Sequence, residues 1–139
     1  MPDTLSPEQR SARMALIRHK NTKPEHTVRR ILHKLGYRFR LHANLPGKPD
    51  IVFSKRRMVI FVHGCFWHSH AAPSCTKARI PKSNQAYWVP KLRRNTERDM
   101  NNITQLESEG WQVMTVWECQ LQQPDLAERL RVFLGPQRL

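Results

Sequence analysis

Three cysteines and a histidine carry the most specific chemistry in this chain. Cys65, His70 and Cys75 follow one another in the spacing C-x4-H-x4-C, and Cys119 lies far downstream. Three thiolates and one imidazole form a closed tetrahedral Zn²⁺ site, which stabilises loops that cannot bury a core of their own. His63 and His68 compete with His70 for the imidazole place, and unrelated buried thiols are the plainer alternative. Asp50 follows the turn Gly47-Lys48-Pro49 and opens the apolar run Ile51-Val52-Phe53. A carboxylate at a strand entry can hold a hard cation such as Mg²⁺, whose shell water and phosphate oxygens complete. An ordinary turn aspartate fits the same spacing. Phe66 and Trp67 sit between the cysteines and histidines. Aromatic rings on a metal-pinned loop can stack on bases or wedge between them, or they can form the loop's own small core. Trp88 has the same two uses, and Tyr87 beside it reads as core.

Those residues are carried by a strongly basic chain. Its 139 residues hold 24 Lys and Arg against 11 Asp and Glu, a formal net charge of +13. An anionic partner relieves that self-repulsion. The basic residues run along the whole sequence, which favours nucleic acid. A membrane surface is disfavoured, because no long helical pattern pairs a basic face with a strongly apolar one. No stretch approaches the roughly 20 apolar residues of a membrane span. The first residues lack the apolar core of a secretory signal, so a cytoplasmic location is expected. An odd cysteine count in such a chain argues against a disulfide framework. The length fits one domain, preceded by a basic arm over about residues 1–20.

The elements that must position the site are legible from caps and periodicity. Ser6-Pro7-Glu8-Gln9 opens a short basic helix in the arm, which carries Arg10, Arg13, Arg18 and Lys20. Thr22-Lys23-Pro24-Glu25 is a capping box, and Val28, Ile31, Leu32 and Leu35 then form a helical stripe that Gly36 ends. Tyr37, Phe39 and Leu41 alternate with Arg38, Arg40 and His42, which predicts a half-buried strand. Two further strands, 51–53 and 58–62, are joined as a hairpin through Ser54-Lys55-Arg56-Arg57. Residues 63–82 read as irregular. A helix over 84–109, kinked at Pro90, is followed by a strand over 111–118 with Val113, Thr115 and Trp117 on one face. Pro124-Asp125 starts a last helix carrying Leu126, Leu130 and Phe133. This order predicts an α/β fold with a mixed central sheet flanked by helices.

Pro49-Asp50, the run Val59-Ile60-Phe61-Val62-His63-Gly64-Cys65-Phe66-Trp67-His68, Tyr87-Trp88 with Lys91-Leu92 and Asn95, Glu97-Arg98-Asp99, Gly110-Trp111 and Val116-Trp117-Glu118-Cys119 together resemble the very-short-patch repair DNA endonucleases. The resemblance runs over about residues 10–121. The segment from His63 to His68 combined with the Trp-Glu-Cys ending is its most specific part.

The resemblance implies a fold similar to the type II restriction endonucleases, with a zinc-pinned loop. It implies recognition of the T:G mismatch left by deamination of 5-methylcytosine, and a nick 5′ of the thymine. Asp50 then matches the Mg²⁺-binding aspartate, and Val62 a position whose backbone carbonyl is a second Mg²⁺ ligand. His68 matches the catalytic histidine, Asp99 the acid that pairs with it, and His63 a second active-site histidine. Glu25 matches an acid near the active centre, although the capping box also claims it. Cys65, His70, Cys75 and Cys119 match the Zn²⁺ ligands, and Phe66, Trp67 and Trp88 the rings that enter the DNA. Where many nucleases carry a second acid and a lysine after the aspartate, this chain has Phe61 and His63, a change the family shares. The implied partners are double-stranded DNA with a T:G mismatch and mismatch-repair proteins, in a bacterial, nucleoid-associated setting. A restriction-type enzyme acting on matched DNA and a zinc-stabilised module that binds DNA without cutting it are the competing readings.

Overall fold

The computed structural model describes residues 22–70, 75 and 83–136. The basic arm, with its expected helix, and the segments 71–74 and 76–82 lie outside the described residues. Helix α1, Lys23–Lys34, begins where the capping residues predicted, with the Thr22 hydroxyl accepting from the Glu25 N–H at 3.4 Å. It leads to strands β1, Arg40–Leu41, β2, Ile51–Phe53, and β3, Met58–His63. Helix α2, Gln85–Ser108, then crosses over to β4, Gln112–Trp117, and α3, Leu126–Leu134, closes the chain. A single turn of 3-10 helix, Glu118–Gln120, lies between β4 and α3.

The four strands form one mixed sheet in the order β1-β2-β3-β4. The first two pairings are antiparallel and β3 runs parallel to β4, so the long connection between them has room for α2. Strand alternation splits the core. Ile51, Phe53, Ile60 and Val116 pack with Val28 and Leu32 of α1 and with Leu126, Leu130 and Leu134 of α3. On the other face Val52, Val59 and Phe61 pack with Leu106 of α2, supported by Ile103, Trp111 and Val113. The sheet is thus covered on both sides, as the element order predicted.

Two local expectations change. The strand expected over 37–42 shrinks to two residues, because Tyr37 still bonds through its N–H to the Leu32 carbonyl at the helix end. Its ring is buried edge-on to Phe53, and Phe39 stacks on His33, so both aromatics serve the core before the ladder starts. Helix α2 continues through Pro90, in its second turn, as expected. In α3 the inward residues are Leu126, Leu130 and Leu134, with Phe133 only partly buried.

The two arginines of the β2–β3 hairpin hold the ends of helices. Arg56 donates to the carbonyls of Leu134 at 2.7 Å and Pro136 at 2.8 Å, completing the C-terminus of α3. Arg57 lies over the Trp111 ring and donates to the Glu109 carbonyl at 2.8 Å. The turn that delivers Asp50 is braced by α2. Gly47 has φ +74, and a β-carbon there would meet the Asn102 side chain at 2.9 Å.

Candidate active site and metal centres

Asp50 stands at the entry of β2, beside the end of β3. Its Oδ2 accepts from the Val62 N–H at 2.6 Å. On an extended strand a residue's N–H and C=O project to the same side, so the Val62 carbonyl faces the Asp50 side as well. The carboxyl is buried, and burial pushes it up to about 8, with Glu25 adding to the rise and the Val62 N–H and Arg29 opposing it. Buried this way and facing a second carboxylate, it is a group that a bound cation would ionise.

Glu25 is 2% exposed, and its side chain reaches into the same pocket. Its Oε2 accepts from Arg29 at 2.8 Å and lies 3.0 Å from His42 Nε2. One ligand atom each from Glu25, His42 and Asp50 lie within 4.8 Å of one another, close enough to hold one ion. The cap therefore uses the Glu25 backbone, and the carboxylate serves the site. Sequence reasoning missed Arg29 and His42. Arg29 carried a usable signal, the i, i+4 spacing from Glu25. His42 read as the exposed partner of an alternating strand. In the structure it has φ 49, a left-handed turn that swings the chain back at the end of β1.

A second cluster gathers on the α2 face of the sheet. Trp88, Leu92, Asn95 and Asp99 fall at i, i+4, i+7 and i+11, one stripe of α2. Asn95 donates to the Trp67 carbonyl at 3.1 Å, and Asp99 Oδ2 meets His68 Nδ1 at 2.5 Å. His63 stacks on His68 with ring centroids 3.8 Å apart and planes inclined by 4°. Stacked imidazoles keep their lone pairs in parallel planes, so His63 and His68 cannot converge on one ion. The arrangement suits proton transfer instead: Asp99 fixes the tautomer and leaves Nε2 of His68 to accept a proton. Burial lowers His63 to about 4, helped by repulsion from His68 and opposed by Asp99, so His63 is neutral at ordinary pH.

Cys65, His70, Cys75 and Cys119 also converge, each with a ligand atom within 4.8 Å of the others. His70 Nδ1 lies 3.6 Å from Cys65 Sγ and 3.4 Å from Cys119 Sγ. A tetrahedral ion with S and N ligands at ordinary lengths requires an S···N edge of about 3.6 Å. The donor set and its spacing therefore fit a metal ion. Burial pushes the Cys65 thiol up to about 12 and raises Cys119, so a cation is needed to hold the thiolates.

Phe66, Trp67 and Trp88 form an aromatic cluster, with centroids 5.1 to 5.9 Å apart and steep interplanar angles. Trp88 is buried, whereas Phe66 and Trp67 are half-buried. The rings pack edge to face on one another.

The family model for the DNA mismatch endonuclease Vsr matches residues 2–76. The chain belongs to the Vsr family of DNA endonucleases. Among Vsr relatives, the type II nicking enzyme V.XorIIP of Xanthomonas oryzae pv. oryzae is 51% identical over 138 residues, covering 98% of this chain and 99% of its own. The nicking enzyme V.NmeAIP of Neisseria meningitidis serogroup A is 48% identical, covering 87% of this chain and 85% of its own. The DNA mismatch endonuclease Vsr of Escherichia coli K12 is 39% identical, covering 87% and 76%. The sequence resemblance thus holds at the family level. Among the described residues no helix is long and apolar enough to cross a membrane.

Proposed function

We propose that this Vsr-family chain is a Mg²⁺-dependent endonuclease that nicks DNA 5′ of the thymine in a T:G mismatch left by deamination of 5-methylcytosine. The observation that carries this reading is that the His68–Asp99 pair and the Asp50 carboxylate both meet the same end of β3, through His63 and Val62. His63, stacked on His68, is the strand neighbour of Val62, whose N–H holds the Asp50 carboxylate. A base and an acidic cation site at one strand end are what phosphodiester hydrolysis requires.

His68, its Nδ1 engaged by Asp99, takes a proton from the attacking water at Nε2, and Asp99 stabilises the imidazolium that results. Neutral His63 offers an N–H to the phosphate rather than a charge. Glu25, anchored by Arg29 and His42, shapes the acidic side of the pocket. Bound by Asp50 and the Val62 carbonyl, Mg²⁺ would supply Lewis-acid polarisation and a clamp on the leaving oxygen. Zn²⁺ held by Cys65, His70, Cys75 and Cys119 would pin the loop that carries His68. Phe66, Trp67 and Trp88 on that loop and the facing helix enter the duplex. A T:G wobble stacks and deforms unlike its matched neighbours, which lowers the cost of insertion there. The sheet with helices on both faces is consistent with a restriction-endonuclease-like domain, extended by the basic arm and acting in the cytoplasm. Mismatch-repair proteins are its expected partners.

A plasmid carrying a single T:G site, incubated with Mg²⁺, tests the reading. A nick in the thymine strand is expected, in keeping with relatives named as nicking enzymes. A double-strand break on matched DNA would make it a restriction-type enzyme, and binding without cleavage would make it a zinc-stabilised module.

A further inference from the structure

One ring joins the Cys/His metal centre to the histidine pair, and nothing above assigns it a role. Trp117, the last residue of β4, stacks on His70 with centroids 4.1 Å apart and planes inclined by 9°. The same indole stands edge-on to His63 at 5.3 Å and 75°. His63 in turn lies flat on His68 at 3.8 Å. Sheet register explains the contact, since His63 and Trp117 are paired across the parallel β3–β4 ladder. The strand end is itself fixed, because the Trp117 N–H donates to the Gln120 side chain at 3.0 Å and Cys119 follows two residues on.

We infer that Trp117 is a positioning residue: its indole, clamped between His70 and His63, sets the orientation of the His63–His68 stack and couples it to the metal-pinned loop. The inference rests on the proposed role of His68 as the base. Held on one face by His63 and at Nδ1 by Asp99, the His68 imidazole has little freedom left to turn. Removing the indole takes away one of the rings that hold His63 and gives the stack room to rotate. Small misplacements of a reacting group are costly in rate, whereas DNA affinity depends mainly on phosphate contacts made elsewhere.

The test compares Trp117→Phe, Trp117→Leu and Trp117→Ala in the full-length protein carrying Zn²⁺. Trp117→Leu and Trp117→Ala should lower kcat by about 10-fold or more at nearly unchanged KM for DNA. Both should still hold one Zn²⁺ per chain, and Trp117→Phe should restore most of the rate. A second arm needs no turnover. In a Trp67→Phe/Trp88→Phe background, which clears the other indoles at the loop, removing Zn²⁺ with a chelator should change the indole emission, and this response should be largely absent once Trp117→Phe is added. Parental kcat in Trp117→Leu, a loss confined to KM, or an emission response undiminished by adding Trp117→Phe would each overturn the inference. So would failure of both the Leu and Ala variants to fold, which would make Trp117 a core residue only. A parent that does not nick T:G DNA, together with a Trp117-dependent emission response in that background, would refute the proposed function and leave the clamp standing.

Discussion

At the scale of single residues, affinity and chemistry belong to different groups. Asp50→Ala should abolish nicking while T:G DNA affinity stays within a few-fold of the parent, because the metal acts on the transition state and Lys and Arg hold the phosphates. His68→Ala should slow single-turnover cleavage by about 10²-fold or more. Near-parental nicking by the Asp50 variant would remove the assignment. The buried Asp50 carboxyl also makes a pH prediction. Its ordinary value is 3.8 and the fold raises it to about 8. The folded state thus binds this proton more tightly than the unfolded state. The stability it contributes is complete below 3.8 and is lost as pH rises through about 8. Without divalent cations, Asp50→Asn should therefore gain on the parent as pH rises from about 5 to 8. Mg²⁺ bound there would take the place of the proton and should cancel that gain. Melting curves across this range, with and without Mg²⁺, read the effect directly, and a parent–variant difference that does not vary with pH would contradict it.

At the scale of elements, the fold is tied together at a few chain ends. The Cys119 N–H donates to Cys65 Sγ at 3.4 Å, so the end of β4 and the start of the histidine-rich loop share one centre. Cys119→Ala should lose the bound Zn²⁺ and lower the melting temperature. Native mass spectrometry of reduced parent protein should show one Zn²⁺ per chain, and a metal-free parent would leave the thiols as core residues. The hairpin makes a separate prediction. Arg56 bonds two carbonyls at the end of α3 and lies 5.3 Å from the Tyr37 ring. Arg56→Ala should cost about 1–2 kcal/mol in denaturant unfolding. It should leave nicking at low temperature intact, since none of these contacts touches the site.

At the scale of the whole molecule, a net charge of +13 should make DNA binding salt-dependent, and the proposed role of the aromatic loop should make it selective. Trp67→Ala should weaken binding to T:G DNA more than to matched DNA, by about 1–3 kcal/mol on the mismatch. Arg13→Ala should instead weaken both duplexes together and reduce the salt slope by about one. Paired titrations decide the point. Equal losses on both duplexes from Trp67→Ala, with a large fall in melting temperature, would assign the ring to the loop core.

What the sequence by itself determined is what local chemistry writes. Thr22 and Pro24 start α1, short continuous apolar runs either side of Ser54-Lys55-Arg56-Arg57 mark β2 and β3, and the three cysteines, His70 and Asp50 announce metal chemistry by type. These signals act over a few residues or through side-chain chemistry, so they survive without a fold. Whether four donors converge, and which way a carboxylate turns, depends on contacts between residues far apart in the chain. Only the tertiary structure turned Glu25 from its cap toward Arg29, His42 and Asp50. It recruited Tyr37 and Phe39 to the core ahead of the strand and brought Asp99 to His68, a pairing that only the family resemblance had implied. It also set Trp117 between two histidines, because the parallel register of β3 and β4 brings that strand end beside His63.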